Sequence, residues 1–276
     1  MNIGINTACL QKHSAIKPRE IIDKVRMEGF SGIEFRDEYP FFEEVNSNEG
    51  RYINDVVKGE GLLCSVHLSF YDLNPGSFRK DLRDKAVECH SKAIRKAAEI
   101  GASMVTIHGG KMSNSFYDSE SCSEVDRLSS ESIGRIREIC EDEGITLCVE
   151  NMSCFDRKEY KSFTRPEDLI WLHEEQDEKI RVTLDIGHVV SITPDIVEYI
   201  TRLGSRKIGL CHLSDNNLIR DQHLAVGQGN IDYEGLMRTY MREDWNFPLF
   251  IETTNFAQTL ESKRYLESLV QNIAVG

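Results

Sequence analysis

Residues 207–229 read KIGLCHLSDNNLIRDQHLAVGQG, and their order carries the architecture. An apolar run, Lys207–Leu213, brings His212 to its end, and Asp215, Asp221 and His223 follow before the glycines. Seven more runs have a similar make-up: NIGIN from Asn2, GIEF from Gly32, LLCSVHL from Leu62, SMVTIHG from Ser103, ITLCVEN from Ile145, RVTLDIG from Arg181 and PLFIETT from Pro248. They are near-continuous in apolar residues rather than alternating, as parallel strands buried on both faces need to be.

Helical patterns fill the gaps. Phe78, Leu82, Ala86, Ala93 and Ala97, with Ile94 and Ile100 beside them, follow a 3.6-residue spacing. TRPE from Thr164 reads as a capping box with Thr164 as cap and Glu167 reaching back. TPD from Thr193 places Pro194 at a first helical position, and Asp232 is a further cap. Eight strand–helix units in alternation give the α/β class and a parallel sheet that can close into a (β/α)8 TIM barrel, one domain over residues 1–276. A doubly wound open sheet is the main alternative. The serine-rich stretch 111–130 reads as a loop and helix start covering the barrel mouth.

Composition fits that size. A chain of 276 residues is normal for a barrel of about 250. With 40% hydrophobic and 29% charged residues it is an ordinary globular chain, and its net charge of −13 repels bulk nucleic acid and anionic membrane. No run is long and apolar enough for a membrane span, and MNIGINTACL lacks the form of a signal peptide. Eight cysteines occur without a CxxC pair, and Cys64, Cys148 and Cys211 lie inside strand runs. The expectation is a reduced cytoplasmic protein without disulfides.

In such a barrel the active site lies at the C-terminal strand ends. Those ends carry His67, His108, Glu150, Asp185 with His188, His212 with Asp221 and His223, and Glu252. Taken singly, each has a plain structural reading: a bonded rim histidine, a helix cap, a solvated loop. Jointly they are costly to assemble on one rim unless a cation binds them. Histidine with carboxylate suits Zn²⁺, Mn²⁺ or Co²⁺ better than Ca²⁺, and the absence of thiolates argues against a structural zinc site.

With its motifs in this order (VHLSFYDLNP, TIHGG, CVEN, TLDIGH, CHLSDN, RDQHLAVGQGNID, FIETT), nearly the whole chain resembles the xylose-isomerase-like barrel superfamily. That superfamily includes sugar isomerases and epimerases and endonuclease IV. In the isomerase branch the resemblance implies one metal on Glu150, Asp185, His212 and Glu252. In the endonuclease IV branch it implies three zincs on nine ligands, adding His67, His108, His188, Asp221 and His223. The Asp221–His223 pair implies more than one metal.

The chain departs from the DNA-cleaving branch after the second strand, where RDEYPFFEEV sets Asp37, Glu38, Glu43 and Glu44 against a phosphate backbone. Tyr39, Phe41 and Phe42 there are a base wedge, a barrel cap or a homo-oligomer contact. Arg220 is the nearest arginine after the strand-seven histidine. Arg157, Lys158, Lys161 and Arg165 form either a solvated charged loop or a phosphate clamp.

The leading expectation is a divalent-metal-dependent isomerase or epimerase of a small sugar or sugar phosphate. Glu150 and Glu252 would be base and returning acid, and His188 would hold a hydroxyl. The second is a zinc phosphodiesterase for abasic DNA, with Glu150 bridging two zincs. In it His67 and His108 complete one zinc, Asp185, His212 and Glu252 another, and His188, Asp221 and His223 hold the third. A non-catalytic metal-binding barrel comes third. Metal content per chain, from one to three ions, separates them.

Overall fold

The computed structural model describes residues 2–11, 16–37, 45–113 and 118–275. The eight apolar runs form eight barrel strands: β1 (Ile3–Asn6), β2 (Gly32–Arg36), β3 (Leu63–His67), β4 (Met104–Ile107), β6 (Thr146–Glu150), β8 (Arg181–Asp185), β9 (Ile208–Leu213) and β10 (Leu249–Ile251). All pair in parallel, in the closed order β1-β10-β9-β8-β6-β4-β3-β2. Closure settles the choice against an open doubly wound sheet. Alternation is not strict, because β5 (Lys111–Ser113) and β7 (Glu159–Lys161) pair antiparallel as a separate ribbon. The 111–130 stretch therefore begins as strand, and its helix runs Ser119–Asp142 behind an Asp118 cap.

Every second strand residue enters the barrel, and the interior is layered. At the N-terminal end Met104, Cys148, Leu210 and Phe250 form a small apolar cluster. Above them Glu34 accepts hydrogen bonds from Asn6 Nδ2 (2.7 Å), Ser65 Oγ (3.1 Å) and Thr106 Oγ1 (3.1 Å). The ligand-type side chains lie toward the strands' C-terminal ends: His67, His108 and Asp185 two residues past Ser65, Thr106 and Thr183, and Glu150, His212 and Glu252 two past Cys148, Leu210 and Phe250. The larger apolar core lies between the barrel and its helices.

Three helical details differ from the sequence reading. Phe78 and Leu82 are 50% and 49% exposed, and the buried face of helix Lys80–Glu99 is Ala86, Val87, His90, Ala93, Ile94 and Ala97. The box at residue 164 is shifted by one: Arg165 is the cap and Asp168, not Glu167, accepts from the Arg165 amide (2.9 Å). Pro166 takes the first helical position, which forces the cap onto the residue before it. Pro194 precedes Asp195, whose carboxylate caps helix Ile196–Leu203 by accepting from the Glu198 amide at 2.8 Å. Asp232 does cap its helix. Cys64, Cys148 and Cys211 are buried free thiols. No described helix is long and apolar enough to cross a membrane.

Candidate metal centre

The barrel rim gathers the nine ligand-type residues into three groups, with the ligand atoms of each group within 4.8 Å of one another. Glu150, Asp185, His212 and Glu252 form the first. His212 Nδ1 lies 3.1 Å from Glu252 Oε2, 3.5 Å from Glu150 Oε1 and 3.9 Å from Asp185 Oδ2. All four side chains are buried, yet His212 Nδ1 and Asp185 Oδ2 make no hydrogen bond among the described residues. Three buried carboxylates facing one imidazole nitrogen repel one another unless a cation or protons lie between them.

The second group shares Glu150. Its Oε2 lies 3.0 Å from His67 Nε2 and 2.8 Å from His108 Nε2. His67 Nδ1 is 3.0 Å from the Leu68 carbonyl, an acceptor only, so Nδ1 carries the proton. Its Nε2 then presents either a lone pair or a second proton to the carboxylate. Burial above all pushes His108 down to about 4 against the pull of Glu150, so its ring is neutral at pH 7. Two imidazole nitrogens and a carboxylate this close together make a donor set for a metal once the nitrogens give up the protons they share with Glu150.

The third group is His188, Asp221 and His223. Asp221 Oδ2 is 3.0 Å from His188 Nε2, and its Oδ1 is 3.4 Å from His223 Nε2. Again the far nitrogens are fixed: His188 Nδ1 lies 2.8 Å from the Asn151 carbonyl and His223 Nδ1 3.2 Å from the Glu252 carbonyl. His212 follows the rule differently, with Nε2 held 2.6 Å from Glu34 Oε2. Four of the five ligand-type imidazoles thus have the outer nitrogen held by an oxygen, the arrangement that orients metal-binding histidines.

The loop carrying Asp221 and His223 is built around Asp215. Its carboxylate accepts from the amides of Asn216 (2.9 Å), Ile231 (3.1 Å) and Gly227 (2.9 Å), and its backbone pairs with Leu224. Gly227 has φ +86°, and Gly229 lies against the Asp215 carboxylate with no room for a Cβ. The glycines of GQG serve this fold-back rather than a nucleotide. His223 sits at φ +47°, an uncommon conformation for a histidine, which the surrounding bonds hold in place.

Above the groups is a cavity of about 240 Å³, lined by ligand-type residues together with Arg36, Phe70, Lys111, Met152 and Lys161. Of the basic loop, only Lys161 lines it; Arg157, Lys158 and Arg165 are exposed elsewhere, as is Arg220. Glu38, Tyr39, Phe41, Phe42, Glu43 and Glu44 lie outside the described residues.

Sequence reasoning missed Glu34, Arg36 and Lys111. Arg36 Nη1 lies 3.2 Å from Glu252 Oε1, and its guanidinium is 5.1 Å from the Phe70 ring centre. Burial raises the Glu252 carboxyl, but His212, His223 and Arg36 together bring it below the usual range. The signal available was GIEFR itself, which places two charges two residues apart in a strand, on the same face.

Residues 22–269 match the family model described as xylose isomerase-like TIM barrel. The uncharacterized protein MJ1311 of Methanocaldococcus jannaschii is 31% identical over 209 residues, covering 75% of this chain and 69% of that one. A probable endonuclease 4 of Haloarcula marismortui is 25% identical over 225 residues, 76% of this chain and 77% of that one. Among solved structures, a D-tagatose 3-epimerase-like protein superposes with a TM-score of 0.83 at 25% identity, covering 99% of this chain and 98% of the other. L-Ribulose 3-epimerase shares the fold, with a TM-score of 0.81 at 18% identity, covering 99% and 96%.

Proposed function

The chain belongs to the xylose isomerase-like TIM barrel family, and we propose that it is a single-domain, divalent-metal-dependent isomerase or epimerase of a small sugar or sugar phosphate. One observation carries this reading: Glu150 and Glu252 enter the floor of the same 240 Å³ cavity from β6 and from the end of β10, with His212 Nδ1 between them. Two carboxylates reaching a small substrate from different sides are what removal and return of a carbon-bound proton require. The epimerase-like solved structure supports the same chemistry.

A Zn²⁺, Mn²⁺ or Co²⁺ ion held by Glu150, Asp185, His212 and Glu252 would supply positive charge against the oxyanion that develops when a proton leaves the carbon beside a carbonyl. Glu252, kept ionised beside His212 and Arg36, is suited to take that proton. Glu150 also lies well below the usual carboxylate range: burial raises it, and His108, His212 and His67 outweigh burial. His188 would meet a substrate hydroxyl only by giving up its contact with Asp221.

A second reading has its own observation. The three ligand groups use all nine residues, with Glu150 shared, as a three-zinc phosphodiesterase needs, and the probable endonuclease 4 is a relative. The test is metal content per chain, together with two assays on the metal-loaded protein. Solvent deuterium entering a carbon-bound position of a ketose or ketose phosphate supports the isomerase. Cleavage of an abasic duplex without such exchange replaces it with the phosphodiesterase.

A further inference from the structure

We propose that Lys111 and Lys161 form an anion subsite at the cavity mouth that takes the phosphate of a phosphorylated substrate; the substrate assignment rests on the function proposed above. The two residues are direct partners across the β5–β7 ribbon. Like charges directly opposite in an antiparallel pair are destabilising. Here the geometry makes them closer still. Asn74 occupies both backbone groups of Lys111, donating to its carbonyl (2.7 Å) and accepting from its amide (3.1 Å). A pair whose backbone groups are engaged elsewhere is of the kind that carries no mutual hydrogen bonds, where side chains lie closest.

The ribbon cannot easily turn to relieve this. Its other face is anchored by buried Met112 and by Tyr160, whose hydroxyl donates to Asp126 Oδ2 at 2.6 Å. At its base the Ser162 amide donates to the Gly110 carbonyl at 2.9 Å, and Gly110 packs on the Gly76 backbone with no room for a Cβ. Both lysines are half-buried and line the cavity that Glu150, Glu252 and the histidines of the second and third groups also line.

Among the described residues, neither ammonium has a hydrogen-bond or ion-pair partner. Elsewhere in this chain of net charge −13, Lys80, Lys85, Lys92 and Lys263 each pair with a carboxylate. Glu159 also lines the cavity, but it is exposed and forms no ion pair with either lysine among the described residues. Arg36, the other cation at the cavity, is already engaged by Glu252. Two ammonium groups brought together on one ribbon face, and unpaired among the described residues, match a dianion with several acceptor oxygens, which would convert their repulsion into charge-assisted hydrogen bonds.

The test uses the full chain with its metals as purified and inorganic phosphate as the probe. Calorimetry and thermal melts are run on the parent, K111Q, K161Q, the double variant and the two arginine variants. In phosphate-free buffer K111Q and K161Q should melt about 1–3 °C above the parent, because the repulsion is gone. Phosphate should raise the parent's Tm, each glutamine variant should bind it about tenfold more weakly, and each arginine variant should bind it within about threefold of the parent. A parent that does not bind phosphate, or a double variant that binds it as the parent does, overturns the subsite. Failure of the isomerase reading is distinguishable. Phosphate binding through the pair without deuterium exchange on any sugar keeps the subsite and removes the isomerase. Exchange on a ketose by the parent, with the double variant still binding phosphate normally, does the reverse.

Discussion

Glu34 Oε2 and His212 Nε2 meet 2.6 Å apart inside the barrel, with both side chains fully buried. The contact fixes the ring so that Nδ1 faces Glu150, Asp185 and Glu252. Burial raises the Glu34 carboxyl, but the His212 charge and hydrogen bond, with help from His67, bring it below the usual range, so the carboxylate form faces the ring. Removing that charge should loosen the ligand rather than the fold. Glu34→Gln keeps the shape and an acceptor for Ser65 and Thr106, at the cost of turning an amide donor toward Asn6 Nδ2, and should weaken metal binding by about 10- to 100-fold. Competition with a chromophoric chelator measures it. An affinity equal to the parent's would show that Glu34 is only a core hydrogen-bonding group.

Asp221 separates the two chemistries. It joins His188 to His223 and touches none of the first group's four residues. Asp221→Ala should lower the metal count by one where the third group is filled. Under the isomerase reading it should leave deuterium exchange within about tenfold of the parent, since Glu150, Asp185, His212 and Glu252 remain. Loss of all exchange together with the third metal would move the third group into the isomerase's essential machinery.

The gathering of the ligand-type residues on one rim was legible because strand period and residue type coincide. His67 stands two residues past Ser65, Asp185 two past Thr183, Glu252 two past Phe250, each one layer up the barrel. Glu34 was not legible by that route. It sits mid-strand, and its four partners come from β1, β3, β4 and β9, contacts that no local pattern encodes. The ribbon escaped for another reason: strands of three residues are too short to show a period. Phe78 misled because it continues a helical spacing past the point where the helix begins, at Lys80.

The bottom of the barrel is shaped by one ring. Phe250 is 1% exposed, and a Cβ added at Gly4 would lie 2.5 Å from its Cδ1 and Cε1. Gly4 has no positive φ to protect, so the constraint is space alone. Gly4→Ala should cost about 1–3 kcal/mol in urea unfolding by forcing the ring to move. Phe250→Leu in the same chain should recover part of that loss, because a smaller side chain frees the volume. If the double variant loses the sum of the two single costs, the ring is not the cause.

His90 sets an acid limit on the fold. It is buried in helix Lys80–Glu99, its Nδ1 has no hydrogen-bond partner among the described residues, and burial lowers it from 6.5 to about 4, with His108 and His67 adding to the shift. The folded value is depressed, so the neutral form is favoured in the folded state. Stability from this group is complete above the unfolded value of 6.5 and is lost as pH falls toward 4, because the unfolded chain takes the proton first. The full effect is roughly 3 kcal/mol. His90→Leu has no charge to acquire, so its Tm should fall less than the parent's between pH 7 and pH 4.5. His173, also depressed chiefly by burial, still titrates in the variant, so the slope should shrink rather than vanish. Parallel Tm–pH curves for parent and variant would place the acid sensitivity in other groups, foremost the rim carboxylates.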